Sequence, residues 1–274
     1  MRRFFRKKGP ADVRPAAVAG RFYPNNPAEL RRMVEGFLRE VKPAAGPAPK
    51  AVIAPHAGYV YSGPVAASAY AQLTPARDTT KRIILLGPSH YAAFDGLAAT
   101  SAVAFSTPLG TVPVDTAVVR DLCSRLPQVS VRDDAHADEH ALEVQLPFLQ
   151  VVLADFKIIP LLVGEASDKE VGEVIEALWG GDETRFVISS DLSHYHDYAT
   201  AQQTDAETAR IIESLDWKKL RDDLACGCRP ICGLLGAARE RGLKCRNVDL
   251  RNSGDIAGTR DRVVGYGAFV FTQN

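Results

Sequence analysis

Three aliphatic runs in this chain stop at proline, glycine or serine and then deliver a histidine. They are "KAVIAPHAGY" around His56, "RIILLGPSHY" around His90, and "RFVISSDLSHY" leading to Asp191 and His194. Neutral imidazole is the commonest metal ligand, and imidazoles carried on neighbouring strand ends can meet without any sequence-local motif. Proline and glycine beside His56 and His90 set sharp turns, which limits the freedom that coordination would remove. A lone loop histidine is more often a hydrogen-bonding residue than a ligand; it is the grouping of three that favours a metal. His194 is placed for general acid or base work. Asp191 offers a ligand oxygen or an acceptor that orients an imidazole, with a turn cap as the structural alternative.

The remaining histidines are His136, His140 and His196. His136 and His140 are four apart, but "ADE" lies between them, so the zinc-protease signature H-E-x-x-H is absent. Glu139 and His140 are expected behind the ligands, with Glu139 also suited to a helix start, and His196 is expected on the surface. Tyr59 and Tyr61 are candidates for the pocket wall, with aromatic packing as the plain alternative. Ser89 adjoins His90, but neighbouring residues rarely point at each other, which disfavours a serine nucleophile with a histidine base. The cysteine cluster "CGCRPICG" has C-x-C and C-x3-C spacing and lacks the paired knuckles of structural zinc sites. Cys232 follows Pro230, a residue suited to a first helical position, so a helix N-terminus would favour its thiolate. A small buried core residue is the alternative for Cys232, and the roles of Cys226 and Cys228 stay open.

These residues need strands to carry them. Asn26 and Pro27 are a cap and a first helical residue, followed by Leu30, Met33, Val34, Phe37, Leu38 and Val41 at helical spacing. After a Pro/Ala/Gly linker come a strand at 51 to 54, a small-residue helix from Gly63 to Leu73 and a strand at 83 to 87. Residues 96 to 114 read as a hairpin at the sheet edge, and Asp115 caps a helix bearing Val118, Val119, Leu122 and Leu126. Residues 138 to 153 repeat leucine along one face, with Pro147 kinking that helix or marking its end. "FKIIPLLVG", "KEVGEVIEALWGG" and "RFVISS" continue as strand, helix and strand, two or three helices occupy 200 to 242, and "RVVGYGAFVFT" closes the sheet. The expected fold class is α/β: one three-layer α/β/α domain with a largely parallel or mixed sheet over residues 13–274, preceded by a disordered basic arm at 1–12. In such sheets ligands sit beyond the carboxyl ends of the strands, where the histidines lie.

The bulk composition narrows the partners. Lysine plus arginine equals aspartate plus glutamate at 33 each among 274 residues, so there is no general basic field for nucleic acid. No apolar run approaches the roughly 18 residues of a membrane span, and no secretory signal follows the basic start. Five cysteines in an irregular set do not form a secreted disulfide framework, so a cytoplasmic location is expected.

The phrases "AGRFYP", "APHAGYVYSG", "LGPSHY", "TPLG", "DEHALEVQLPFL", "SSDLSH" and "ICG" occur in that order over nearly the whole chain. This set resembles the Memo family, including the microbial members called AmmeMemoRadiSam system protein B. The resemblance implies a fold like that of the class III extradiol dioxygenases (LigB-like), non-haem iron enzymes that hold their metal with two histidines and a glutamate. It maps the two histidine ligands onto His56 and His90, the proton-handling histidine onto His194, and a family cysteine in place of the third ligand onto Cys232. A thiolate there departs from ring-cleaving enzymes and would soften the site, so Fe(II) is expected, with copper or zinc as alternatives. The expected partners are a small organic substrate and O2, with a radical-SAM system protein as an associated partner. Two further functions are carried alongside this redox reading: an adaptor that uses the pocket for peptide or partner binding, as animal relatives are thought to do, and a zinc-type hydrolase.

Overall fold

The computed structural model describes residues 13–42, 46–256 and 258–273. The arm expected at 1–12 lies outside the described residues. In chain order the elements begin with β1 (Val13–Arg14), α1 (Pro27–Glu40), β2 (Ala51–Ala54), α2 (Tyr59–Tyr70), β3 (Arg82–Pro88) and β4 (Leu97–Ala99). Next come β5 (Ala104–Thr107), β6 (Gly110–Pro113), α3 (Thr116–Arg125), β7 (Val129–Val131), α4 (Asp133–His136), α5 (Leu146–Val152) and β8 (Lys157–Val163). The chain closes with α6 (Asp168–Ala177), β9 (Thr184–Ser189), β10 (His194–His196), α7 (Tyr198–Glu213), α8 (Cys228–Glu240), β11 (Lys244–Asn252), α9 (Ser253–Ile256) and β12 (Val263–Thr272).

Local chemistry explains where the helices start. The Asn26 side chain accepts from the amides of Ala28 and Glu29, and Pro27 opens α1 with its φ already fixed. Ser167 and Glu170 close a reciprocal capping box at the head of α6. Pro147 falls in the first turn of α5, where its missing N–H leaves no partner unsatisfied, so it starts this helix and does not kink it. The long helix expected over 138 to 153 is therefore a 3-10 turn (Glu143–Gln145) followed by α5, and the preceding residues are irregular.

The main sheet runs β10-β12-β2-β9-β3-β8-β4-β7, with β11 paired to β12. Its centre, β2-β9-β3-β8, is parallel throughout. Antiparallel pairs flank that centre at β12-β2 and β4-β8. Helices α1, α2 and α5 pack together, while α6 packs on α8 and α7 on β11 and β12, giving the α/β/α layering the alternation predicts. Strand residues Val52, Ile53, Ile83, Ile84, Leu85, Leu86, Ile158 and Ile159 are wholly buried. Central strands covered on both faces read as unbroken aliphatic runs, and each such side chain contributes about 1.5–3 kcal/mol on burial.

Two expectations are corrected here. The hairpin at 96 to 114 does not sit on the edge of the main sheet: β5 and β6 form it, and β1 joins β5 in a separate three-stranded sheet. The long strand β11, paired along most of β12, had no counterpart in the sequence reading. Its sequence, "KCRNVDLRN", is mostly polar, and its side chains are half-buried, so it lacks the aliphatic signature of the centre.

Candidate metal centre

Neighbouring parallel strands bring the histidines together. β2 and β3 lie on either side of β9, and all three run in the same direction. His56 follows β2 after Pro55, His90 follows the Pro88 end of β3, and Asp191 follows β9. His140 arrives from the irregular segment before the 3-10 turn. The rings of His56, His90 and His140 form one cluster, with centroids 5.1 Å apart for His56 and His90 and 5.5 Å for His56 and His140. The rings of His90 and His140 stack at 4.7 Å. One ring nitrogen from each lies within 4.8 Å of the others.

Hydrogen bonds set which nitrogen faces the cluster. Ser189 Oγ donates its only proton to the Ala141 carbonyl (2.6 Å), so towards His56 Nδ1 (2.8 Å) it can only accept. His56 therefore carries its proton on Nδ1, and Nε2 presents its lone pair as an acceptor or ligand. Gln145 Nε2 also donates to Ser189 Oγ (2.8 Å) and to the Pro55 carbonyl (3.0 Å), bracing the turn that holds His56. The Glu139 carboxylate does the same for His90, accepting from Nδ1 at 2.9 Å and from the His90 amide at 2.6 Å. Glu139 Oε1 also accepts the amides of His140 (2.8 Å) and Ala141 (2.9 Å), so one buried carboxylate positions two members of the cluster.

The electrostatics favour neutral rings. Burial, then the nearby His90 ring, holds His56 down to about 3. Burial, then His56, brings His140 to about 4. Burial pushes the Glu139 carboxyl upward, but the hydrogen bonds and charge of His90 outweigh it and bring the group down to about 2. At neutral pH His56 and His140 are thus ready to donate lone pairs, with no proton to displace first.

The donor set fits a metal ion. Neutral imidazoles oriented from behind by a carboxylate and a hydroxyl are the usual environment of metal-binding histidines. Nitrogens bound to one ion at about 2.1 Å lie no more than about 4.2 Å apart, so the rings would draw in slightly from their present spacing. A cavity of about 750 Å³ opens onto the three rings and is also lined by Asp191, His194, Tyr61, Tyr195, Arg262 and Tyr266.

Not every expected residue is here. Cys232 lies in the second turn of α8, its S–H directed at the Trp217 carbonyl (3.4 Å), and it borders a different groove, between α6 and α8. The helix begins at Cys228 with Gly227 as its cap, which puts Pro230 third and carries Cys232 away from the strand ends. The cysteine at the histidines is Cys226, whose Sγ is 3.3 Å from His56 Nε2. Its proximity follows from the loop that also places the Asp191 amide against Cys226 Sγ (3.3 Å). His140, expected behind the ligands, is itself one of the three clustered rings, while Glu139 is behind them as expected. Asp191 is buried and its Oδ1 accepts the His56 amide (2.7 Å), so it pins the turn that carries His56. Burial raises the Asp191 carboxyl above the ordinary range.

Tyr59 faces away from the cavity and donates to the Val144 carbonyl (2.6 Å). Tyr61 does line the cavity. Ser89 donates to the Ala92 carbonyl (2.7 Å) and does not engage His90. His136 is buried, donates Nε2–H to the Ala98 carbonyl (2.9 Å) and belongs to the core, while His196 is exposed. Sequence reasoning missed Ser189 and Gln145, which brace His56. It also missed Glu143, a fully buried carboxylate that takes Arg14 (2.6 Å), Tyr23 (2.6 Å) and two backbone amides. Their signal was present: Glu143 and Gln145 are polar residues inside the apolar stretch "ALEVQLPFL".

With the centre described, comparison with known proteins is informative. The family model for Memo-like proteins matches residues 14–270. The chain belongs to the Memo-like family. Among its relatives, a MEMO1 family protein of Methanosarcina acetivorans is 37% identical, with 94% of this chain and 99% of the relative covered. A MEMO1 family protein of Methanocaldococcus jannaschii is 34% identical, over 94% of this chain and 98% of the relative. One from Nitrosopumilus maritimus is 31% identical, over 94% and 99%. Among the described residues of this Memo-like protein, no helix is long and apolar enough to cross a membrane.

Proposed function

We propose that this Memo-like protein is a metal-dependent redox protein that acts on a small organic substrate with O2, with Fe(II) as the metal and copper as the alternative. The observation that carries this reading is the trio of ring nitrogens at the floor of an open cavity, two of them held in a fixed tautomer by Ser189 and Glu139. His56, His90 and His140 would hold the ion, with Cys226 placed to add a soft donor. When bound, the metal would supply a positive charge and a redox couple beside the substrate, with coordination positions left for small molecules. The protein's own groups do the rest. Asp191 fixes the His56 turn, and Tyr61 and Tyr266 wall the cavity so that a small substrate displaces water from it. His194, half-buried on the cavity wall, is the group that would take or return a substrate proton.

A cytoplasmic location and a radical-SAM protein as associated partner belong to the same proposal. They rest on the family resemblance and on cysteines that are all free thiols, as a reducing compartment would keep them. The test is oxygen uptake by anaerobically prepared, Fe(II)-loaded protein given ascorbate as reductant and a panel of small phenols and catechols. Uptake above that of free Fe(II), lost in His194→Ala while metal stays bound, supports the reading. Metal that stays bound with no uptake under any condition points to the adaptor function, and uptake unchanged in His194→Ala removes the proton role of that residue.

A further inference from the structure

The first two turns of α8 carry a pair of thiols that the metal centre does not use. Cys228 is the first residue of this helix and Cys232 lies four residues on, so their side chains stack on one face. Their Sγ atoms are 3.9 Å apart. Helix geometry places such Cα atoms about 6.2 Å apart, inside the roughly 4.4–6.8 Å range of disulfides. Joining the sulfurs at about 2.05 Å requires an approach of about 2 Å. The position of Cys228 at the helix start permits this, because its amide is held only from outside the helix, by the Ala225 carbonyl (3.1 Å).

Both thiols can be reached. Cys232 borders the groove of about 550 Å³ beside Trp217, and Cys228 borders a hollow of about 600 Å³ beside Arg229. Each residue is otherwise covered, at 5% and 8% exposure, so small reagents have access and bulky protein thiols do not.

We propose that Cys228 and Cys232 form a dithiol site that hydrogen peroxide closes to an intramolecular disulfide and thiol reductants reopen. In the first step one thiolate attacks peroxide: an S–O bond forms, the O–O bond breaks, and hydroxide leaves and is protonated to water. In the second the other thiolate attacks that sulfur: the S–S bond forms, the S–O bond breaks, and a second hydroxide leaves to become water. Two thiols and one peroxide thus give one disulfide and two waters, with two electrons passed from the sulfurs to the peroxide. The pair connects to the loop of the metal centre through Gly227, whose amide donates to Ser190 Oγ (2.9 Å). The proposal itself is independent of any bound metal.

The test is mass spectrometry on the metal-free full chain, treated with a few equivalents of hydrogen peroxide, alkylated with iodoacetamide and cleaved with trypsin. Because trypsin does not cut Arg229–Pro230, one peptide, 222 to 239, holds Cys226, Cys228 and Cys232. Fragment ions that break after Gly227 separate Cys226 from the pair. The expected product lacks alkyl groups on Cys228 and Cys232, is about 2 Da lighter across them, and regains two alkylatable thiols after dithiothreitol. In Cys228→Ser, Cys232 should instead be trapped by dimedone as the sulfenic acid or advance to the sulfinic acid. The proposal fails if wild-type Cys228 and Cys232 are alkylated or over-oxidised independently, or if either pairs with Cys226.

Discussion

Replacing Glu139 with glutamine removes one charge and almost no volume, which makes it a sharp probe of how the centre is held. The carboxylate accepts four hydrogen bonds: His90 Nδ1–H and the His140 and Ala141 amides at Oε1, and the His90 amide at Oε2. A glutamine can keep its carbonyl at the Oε1 position, but its NH2 must then face the His90 amide, donor against donor. An unsatisfied buried N–H costs about 1–3 kcal/mol, and the three remaining bonds each lose about 1 kcal/mol as they change from charged to neutral acceptors. Removing the burial penalty of the carboxylate offsets part of this. The net expectation is a loss of about 2–4 kcal/mol in the metal-free protein. Metal affinity should fall about 10–100-fold, because the His90 ring loses the charged acceptor that fixes its tautomer. Urea unfolding of the metal-free protein gives the first quantity, and competition with a chromophoric chelator gives the second. A Glu139→Gln protein within about 0.5 kcal/mol and twofold of wild type would refute the claim that this carboxylate positions the rings.

Other consequences follow from the same geometry. His56 and His140, with their folded values near 3 and 4, and His136, brought down to about 4 mainly by burial, stay neutral in the folded chain, whereas unfolded histidine titrates near 6.5. Stability is therefore retained above about pH 6.5 and lost as pH falls below it; at pH 5 each histidine costs about 2 kcal/mol. The buried Asp191 and Asp205, both raised mainly by burial, bind protons more readily when folded and oppose this, so a net loss of a few kcal/mol is expected between pH 7.5 and 5. Urea curves at the two pH values check it, and equal stability would contradict it. Glu143→Ala should cost about 3–5 kcal/mol by leaving Arg14 buried without its partner, measured by denaturation; a loss under about 1 kcal/mol would show that Arg14 finds water instead. Gly227→Ala would place a Cβ 2.6 Å from Ser190 Cβ and 2.8 Å from the Ser189 carbonyl, so it should cost about 1–3 kcal/mol by shifting the Cys226 loop. An unchanged melting temperature would show that the loop yields freely.

The strand tips were legible because the central strands are buried on both faces: "AVIA", "RIILL" and "RFVIS" are plain aliphatic runs, and the residue that ends each one marks where chemistry can start. That is why His56, His90 and Asp191 could be placed from spacing alone. His140 was harder, since it comes from an irregular segment whose path is set by long-range hydrogen bonds, from Ser189 to the Ala141 carbonyl and from Arg14 to the Glu139 carbonyl. The choice between Cys226 and Cys232 turned on the first residue of α8. Gly227 caps that helix without a side-chain hydrogen bond, so no polar capping residue announced the start, and Pro230 pointed two residues too late. β11 was illegible for a different reason: its edge position and half-buried polar side chains resemble a loop.

The most direct test of the metal centre is iron, copper and zinc content by elemental analysis after anaerobic purification, for wild type, His56→Ala/His90→Ala, His140→Ala and Cys232→Ser. The account predicts near-stoichiometric metal in wild type and Cys232→Ser, and loss in both histidine variants although they remain folded. Metal retained in the double histidine variant, or lost in Cys232→Ser alone, would contradict it.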